Sequence, residues 1–76
     1  MSIMATINLS YLGKRTIKTA DSSFDSFRYL DDTGRQYSSY EELVDGDKVA
    51  ASQNSKGFWN LAKVLGTLKV NLVEAK

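Results

Sequence analysis

This chain alternates in short pieces. From Ala5 to Leu12, Ile7, Leu9 and Tyr11 fall on one side and Thr6, Asn8 and Ser10 on the other. That period of two belongs to a half-buried strand. Gly13, before Lys14-Arg15, reads as a turn or bulge, after which Thr16 to Thr19 extends with Ile17 inward. Asp21-Ser22-Ser23 is loop chemistry. Phe24 to Leu30 forms the next strand, with Phe27 and Tyr29 on one face and Phe24, Ser26, Arg28 and Leu30 on the other. Asp31-Asp32-Thr33-Gly34 turns the chain, and Arg35-Gln36-Tyr37 returns antiparallel. Ser38 or Ser39 then caps a short helical turn from Tyr40 to Val44, with Glu41 or Glu42 at capping-box spacing. Two strands follow the Asp45-Gly46-Asp47 turn: Lys48 to Ser52, and Phe58 to Val64 after the Asn54-Ser55-Lys56-Gly57 connection. Leu68, Val70 and Leu72 alternate in a last one. The chain has no proline, so every segment can pair on both edges. Five to seven short strands around one core imply an all-β barrel or small sandwich, because a flat sheet of this size leaves edges and a face exposed.

A chain of 76 residues is one domain, close to the lower limit for folding on its own core. The expected core is Ile7, Leu9, Val49, Leu61, Leu68, Val70 and Leu72. Without cysteine or histidine, there is no disulfide, no thiolate metal site and no imidazole base. The acid pairs Asp31-Asp32 and Glu41-Glu42 are turn and cap residues rather than a general acid and base. Asp45-Gly46-Asp47 lacks the further ligands of a calcium loop. We therefore expect a protein that is not an enzyme, with no cofactor and no metal. No apolar run approaches the ~20 residues of a membrane helix, and the first residues have no signal-peptide pattern. The expectation is a cytoplasmic protein with no membrane partner.

Charge is unevenly spread. Residues 1–20 carry +3, residues 21–47 carry −6 and residues 48–76 carry +4. If the two basic ends meet in the fold, Lys14, Arg15, Lys18, Lys56 and Lys63 form one positive face. Eight aromatics in so short a chain exceed what one small core easily buries. Phe58 and Trp59 are adjacent in a strand, so they point to opposite faces. Leu61 shares Trp59's face, and Ala62 and Val64 share Phe58's. The two faces are thus nearly balanced and the inner one stays open; the reading leans to Trp59 inward with Leu61 and Phe58 outside beside Lys56. Exposed aromatics interleaved with lysine and arginine suit single-stranded nucleic acid, whose bases stack while cations follow the phosphates.

The run from Leu43 to Val64, LVDGDKVAASQNSKGFWNLAKV, resembles the closing part of small OB-fold single-stranded DNA-binding proteins, including short phage proteins. There a Gly-Asp-x-Val strand precedes a hairpin and an aromatic-bearing strand; Phe27-x-Tyr29 extends the likeness. This chain differs in having only Ser39 to Val44 where a longer helix is common, and in ending Val-Glu-Ala-Lys rather than in an acidic tail. The fold expected is all-β, a small partly open five-stranded barrel, OB-fold-like or SH3-like. The function expected is non-enzymatic binding of single-stranded nucleic acid, DNA ahead of RNA. Phe58, Trp59, Phe27 and Tyr29 would stack bases, and Lys14, Arg15, Lys18, Arg28, Lys56 and Lys63 would meet phosphates. The alternatives are a small protein-interaction module, in the manner of a phage-encoded modifier of a host protein, using the acidic 21–47 segment, and a structural subunit that forms a homo-oligomer.

Overall fold

The computed structural model describes residues 5–63 and 66–73. Val64, the end of one expected strand, and the tail 74–76 lie outside them. The described residues form six strands and no helix: β1 (Ala5–Lys18), β2 (Ser23–Asp31), β3 (Gln36–Ser39), β4 (Lys48–Gln53), β5 (Trp59–Ala62) and β6 (Leu68–Val73). They make a ring in the order β1-β2-β3-β5-β4-β6, with β6 returning to β1. The pairs β1–β6 and β3–β5 are parallel and the others antiparallel. The fold is thus a small all-β barrel, with one strand more than the five expected. Two of its seams are short. β3 meets β5 only at Tyr37↔Trp59 and Ser38↔Asn60, and β4 meets β6 only at Lys48↔Lys69 and Val49↔Leu68. The barrel is partly open in this sense.

β1 is one long strand because a bulge, not a turn, interrupts it. The register against β2 shifts between Tyr11 and Gly13, leaving Leu12 as the extra residue. Gly13 sits at φ 127°, a conformation that side chains disfavour and glycine allows. Before the bulge, β1 sends Ile7 and Leu9 inward; beyond it, Arg15 lies opposite Ser26 and Ile17 opposite Phe24. Directly paired residues share a face, so Arg15 and Ile17 join the outer face of β2.

The core holds Ile7, Leu9, Val49, Leu61 and Val70 as expected, with Leu68 and Leu72 half-buried against it. Tyr29, Tyr37 and Leu43 are buried as well, and alternation alone did not single them out. The expected helical turn from Tyr40 to Val44 is a loop. Ser39 Oγ donates to the carbonyl of Glu41 and accepts from its N–H, a local turn that competes with helix. The loop then drops Leu43 into the barrel as a plug. The Leu43 N–H donates to the Tyr29 hydroxyl at 2.8 Å, which satisfies two buried polar groups at once.

The turn after this plug covers the side of β6. Gly46 N–H donates to the Val70 carbonyl and Val70 N–H to the Asp47 carbonyl. Asp45 Oδ1 accepts from the Leu72 N–H at 2.9 Å. No helix in the described residues is long and apolar enough to cross a membrane.

Candidate nucleic-acid interface

The outer face of β2, β3 and β5 collects three of the four exposed aromatics, the fourth being Tyr11 on β1. Register places Arg28 beside Ser38, Ser38 beside Asn60 and Asn60 beside Ser52, a polar row across four strands. On one flank Phe24 meets Tyr40 edge to face, with centroids 5.4 Å apart; Tyr40 is 71% exposed. On the other flank stands Phe58, 66% exposed. Between them runs a groove of about 270 Å³, lined among others by Phe24, Ser26, Arg28, Tyr40, Phe58 and Asn60. A smaller hollow of about 110 Å³ shares Arg28, Ser38 and Phe58 and reaches Gln36, Tyr37 and Trp59.

Phe58 is exposed, yet its backbone is held. Asn54 Oδ1 accepts from the N–H groups of Lys56 and Phe58. Asn54 N–H donates to the Phe58 carbonyl and Gly57 N–H to the Asn54 carbonyl. The Gln53 side-chain amide donates to the Gly57 carbonyl at 3.0 Å. Gly57 lies at φ 89°, so this turn needs glycine there. The ring is therefore presented by a tied turn, which lowers the ordering cost of stacking on it.

Trp59 has another place. It packs inward against the core beside Leu61, as expected. Tyr37 meets it edge-on at 6.3 Å, and the Arg35 guanidinium lies 4.4 Å over its ring. Only part of the indole borders the smaller hollow, and the Arg35 cation already occupies a ring face. Arg35 comes from a turn organised by Asp31. That carboxylate accepts from the Thr33 N–H and hydroxyl, the Arg35 N–H and the Tyr37 hydroxyl. Burial opposes its ionisation, but these donors outweigh that and hold its pKa down at about 2. The Tyr37 hydroxyl moves the other way, raised by burial and by the carboxylate it serves.

The other expected base-stacking residues are placed differently. Tyr29 is 1% exposed, its ring enclosed and its hydroxyl bound to Leu43, so it offers no face to a base. Phe27 packs half-buried against the core. Both point inward because β2 turns the face with Tyr29 toward Tyr37, its partner on β3.

The basic residues do not form one face. Lys14 and Arg15 are neighbours in a strand and point to opposite sides. Lys14 reaches Asp25 at 3.8 Å. Lys63 is paired with Asp47 at 3.1 Å and lies 4.0 Å from Glu41. The Val44 N–H, and then Lys63, keep the Asp47 carboxyl below its usual range against the opposing effect of burial. Lys18 lies opposite Ser23, on Lys14's side. Arg28 lines the groove, Arg15 shares its face, and Lys56 stands in the turn that carries Phe58. Phe24 and Tyr40 belong to the site, though neither was among the expected stacking residues. Phe24 carried a usable signal, since it alternates in phase with Arg28; Tyr40 was hidden by the helical-turn reading.

Among the described residues no group of three carboxylate, histidine or cysteine side chains could hold a metal ion. What the groove offers is stacking surface, amide and hydroxyl groups, and a cation. No family model matches the chain, and no curated protein or solved structure matches it.

Proposed function

We propose that the protein binds single-stranded nucleic acid across the outer face of β2, β3 and β5, without chemistry on the strand. The observation that carries this reading is the groove itself: Phe24 with Tyr40 on one flank, Phe58 on the other, and Arg28 between. Phe58 and Tyr40 offer bases a π-face, and stacking of this kind contributes ~1–3 kcal/mol per base. Arg28, helped by Arg15 and Lys56, meets the backbone between stacked bases. The position of the groove agrees with the resemblance noted above. OB-folds bind oligonucleotides on the face of strands 2 and 3 and on the loops after strands 1 and 4. Here those loops are residues 19–22 and residues 54–58, which ends on Phe58. Few cations stand on this face, so binding rests more on stacking than on charge and falls only gently with salt.

The test is anisotropy of a labelled oligo-dT at low salt, with poly-rU and duplex DNA as competitors. Saturable binding that poly-rU displaces better than duplex does, and that Phe58→Ala weakens, supports the reading. No binding by the wild type at low salt removes it.

A further inference from the structure

Closing a sheet into a ring normally abolishes its edges, but among the described residues one edge stays unpaired. β6 runs beside β1 only from Ala5 to Ser10. Beyond the bulge, Lys14 to Lys18 pairs with β2 alone among the described residues. The contrast with β6 is instructive, because the Asp45-Gly46-Asp47 turn covers that strand's side with hydrogen bonds to Val70 and Leu72. Among the described residues nothing comparable covers Lys14–Lys18. The edge is short, regular and basic. Lys14, Arg15 and Lys18 stand on it, and residues 1–20 contain no acid.

We propose that the Lys14–Lys18 edge is a docking site for an acidic, extended segment of a protein partner, which adds to the sheet as a further strand beside β1. Main-chain hydrogen bonds give such an addition its affinity and alternate side chains give its specificity. The two faces of the edge ask for different residues. Lys14, Thr16 and Lys18 share one face; Arg15 and Ile17 share the other, with Ile17 at the margin of the groove. A strand with acids on the first face and apolar residues on the second satisfies both. The same cations repel a second copy of this edge, so lysine here blocks self-pairing while admitting a complementary strand. Asp25 on β2 offsets the charge of Lys14 only, and Arg15 and Lys18 keep the edge positive. The edge adjoins the nucleic-acid groove and shares Arg15 and Ile17 with its margin, but the proposal does not depend on that function.

The probe is a synthetic peptide of about eight residues alternating Glu and Val, titrated against the isotope-labelled full chain by NMR. The expected result is shift changes and slowed amide exchange confined to Lys14–Lys18 and its neighbours. Two controls act on the peptide and leave the protein intact: Lys in place of Glu, and N-methylation of alternate backbone amides. Both should abolish binding. On the protein, Arg15→Glu with Lys18→Glu should weaken binding about tenfold or more, with an unchanged amide spectrum elsewhere confirming the fold. Shift changes on the Phe24–Tyr40–Phe58 face instead, undiminished binding of the N-methylated peptide, or no binding at low salt would each overturn the proposal.

Discussion

β2, β3, β5 and the turns beside them present aromatics on both sides; apart from Phe27, which packs half-buried inside, they form two sets under different rules. Inside are Tyr29, Tyr37 and Trp59, each with a partner that fixes it: the Leu43 N–H, the Asp31 carboxylate and the Arg35 guanidinium. Outside are Phe24, Tyr40 and Phe58, which carry apolar surface that the chain leaves in water. Tyr29 and Tyr37 are buried with their hydroxyls bonded and Trp59 is half-buried, whereas the outer set includes two phenylalanines with no polar handle. A core assembled by hydrophobicity alone would be arranged the other way. The inner rings were chosen for where their hydroxyl or π-face leads, and the outer ones for the bare face they offer.

The largest expected effect tests the inner set. Tyr29→Ala should destabilise the protein by about 3–5 kcal/mol, because it empties the barrel and leaves the Leu43 N–H without its acceptor. Tyr29→Phe keeps the ring and should cost about 1–3 kcal/mol for the orphaned N–H alone. Urea midpoints measure both, and equal stability of Tyr29→Phe and wild type would break the idea that hydroxyls place the inner rings. Next comes the outer set. Phe58→Ala should weaken oligo-dT binding by about 1–3 kcal/mol while shifting stability by less than ~0.5 kcal/mol, as surface changes do. A large loss of stability in that variant would erase the distinction between the faces.

A smaller effect comes from pH. Asp31 has its carboxyl pKa lowered in the fold from 3.8 to about 2. The stability this contributes is complete above the unfolded value and is lost as pH falls from about 4 to about 2. Wild type should therefore lose more stability than Asp31→Asn over that interval, measured as the difference in urea midpoint. Parallel curves would show that Arg35 and Tyr37 hold their places over Trp59 without the carboxylate. Smallest of all, Lys14→Ala should change stability by no more than ~0.5 kcal/mol, since its contact with Asp25 is long and exposed.

Strand positions were legible in the sequence because period-two alternation and turn residues act locally. That Phe58 and Trp59 take opposite faces was legible as well, but which of them turns inward was not, since Leu61 on one face nearly balances Ala62 and Val64 on the other. The inward turn of Tyr29 was not legible either. A tyrosine suits either side of a strand, and what decides here is an N–H fourteen residues away. Leu43 was hidden for the same reason, since its loop takes shape only once the barrel exists to receive it. The expected basic face failed because Lys14 and Arg15, as strand neighbours, point to opposite sides, and because Lys63 is drawn to Asp47. Net charge summed along the chain carries no record of which side of a strand each cation takes.

The brief seam between β3 and β5 has a mechanical consequence. The groove crosses it, with Arg28 and Tyr40 on one side and Phe58 and Asn60 on the other. With only Tyr37↔Trp59 and Ser38↔Asn60 in register, this is one of the two short seams where the ring opens most readily, and local opening sets the rate of amide exchange. A strand lying in the groove bridges the gap and acts as a clasp. At a ligand concentration of about 100 Kd, linkage adds about 2.7 kcal/mol to stability, and the amides of Ser38 and Asn60 are where that tightening should first be felt.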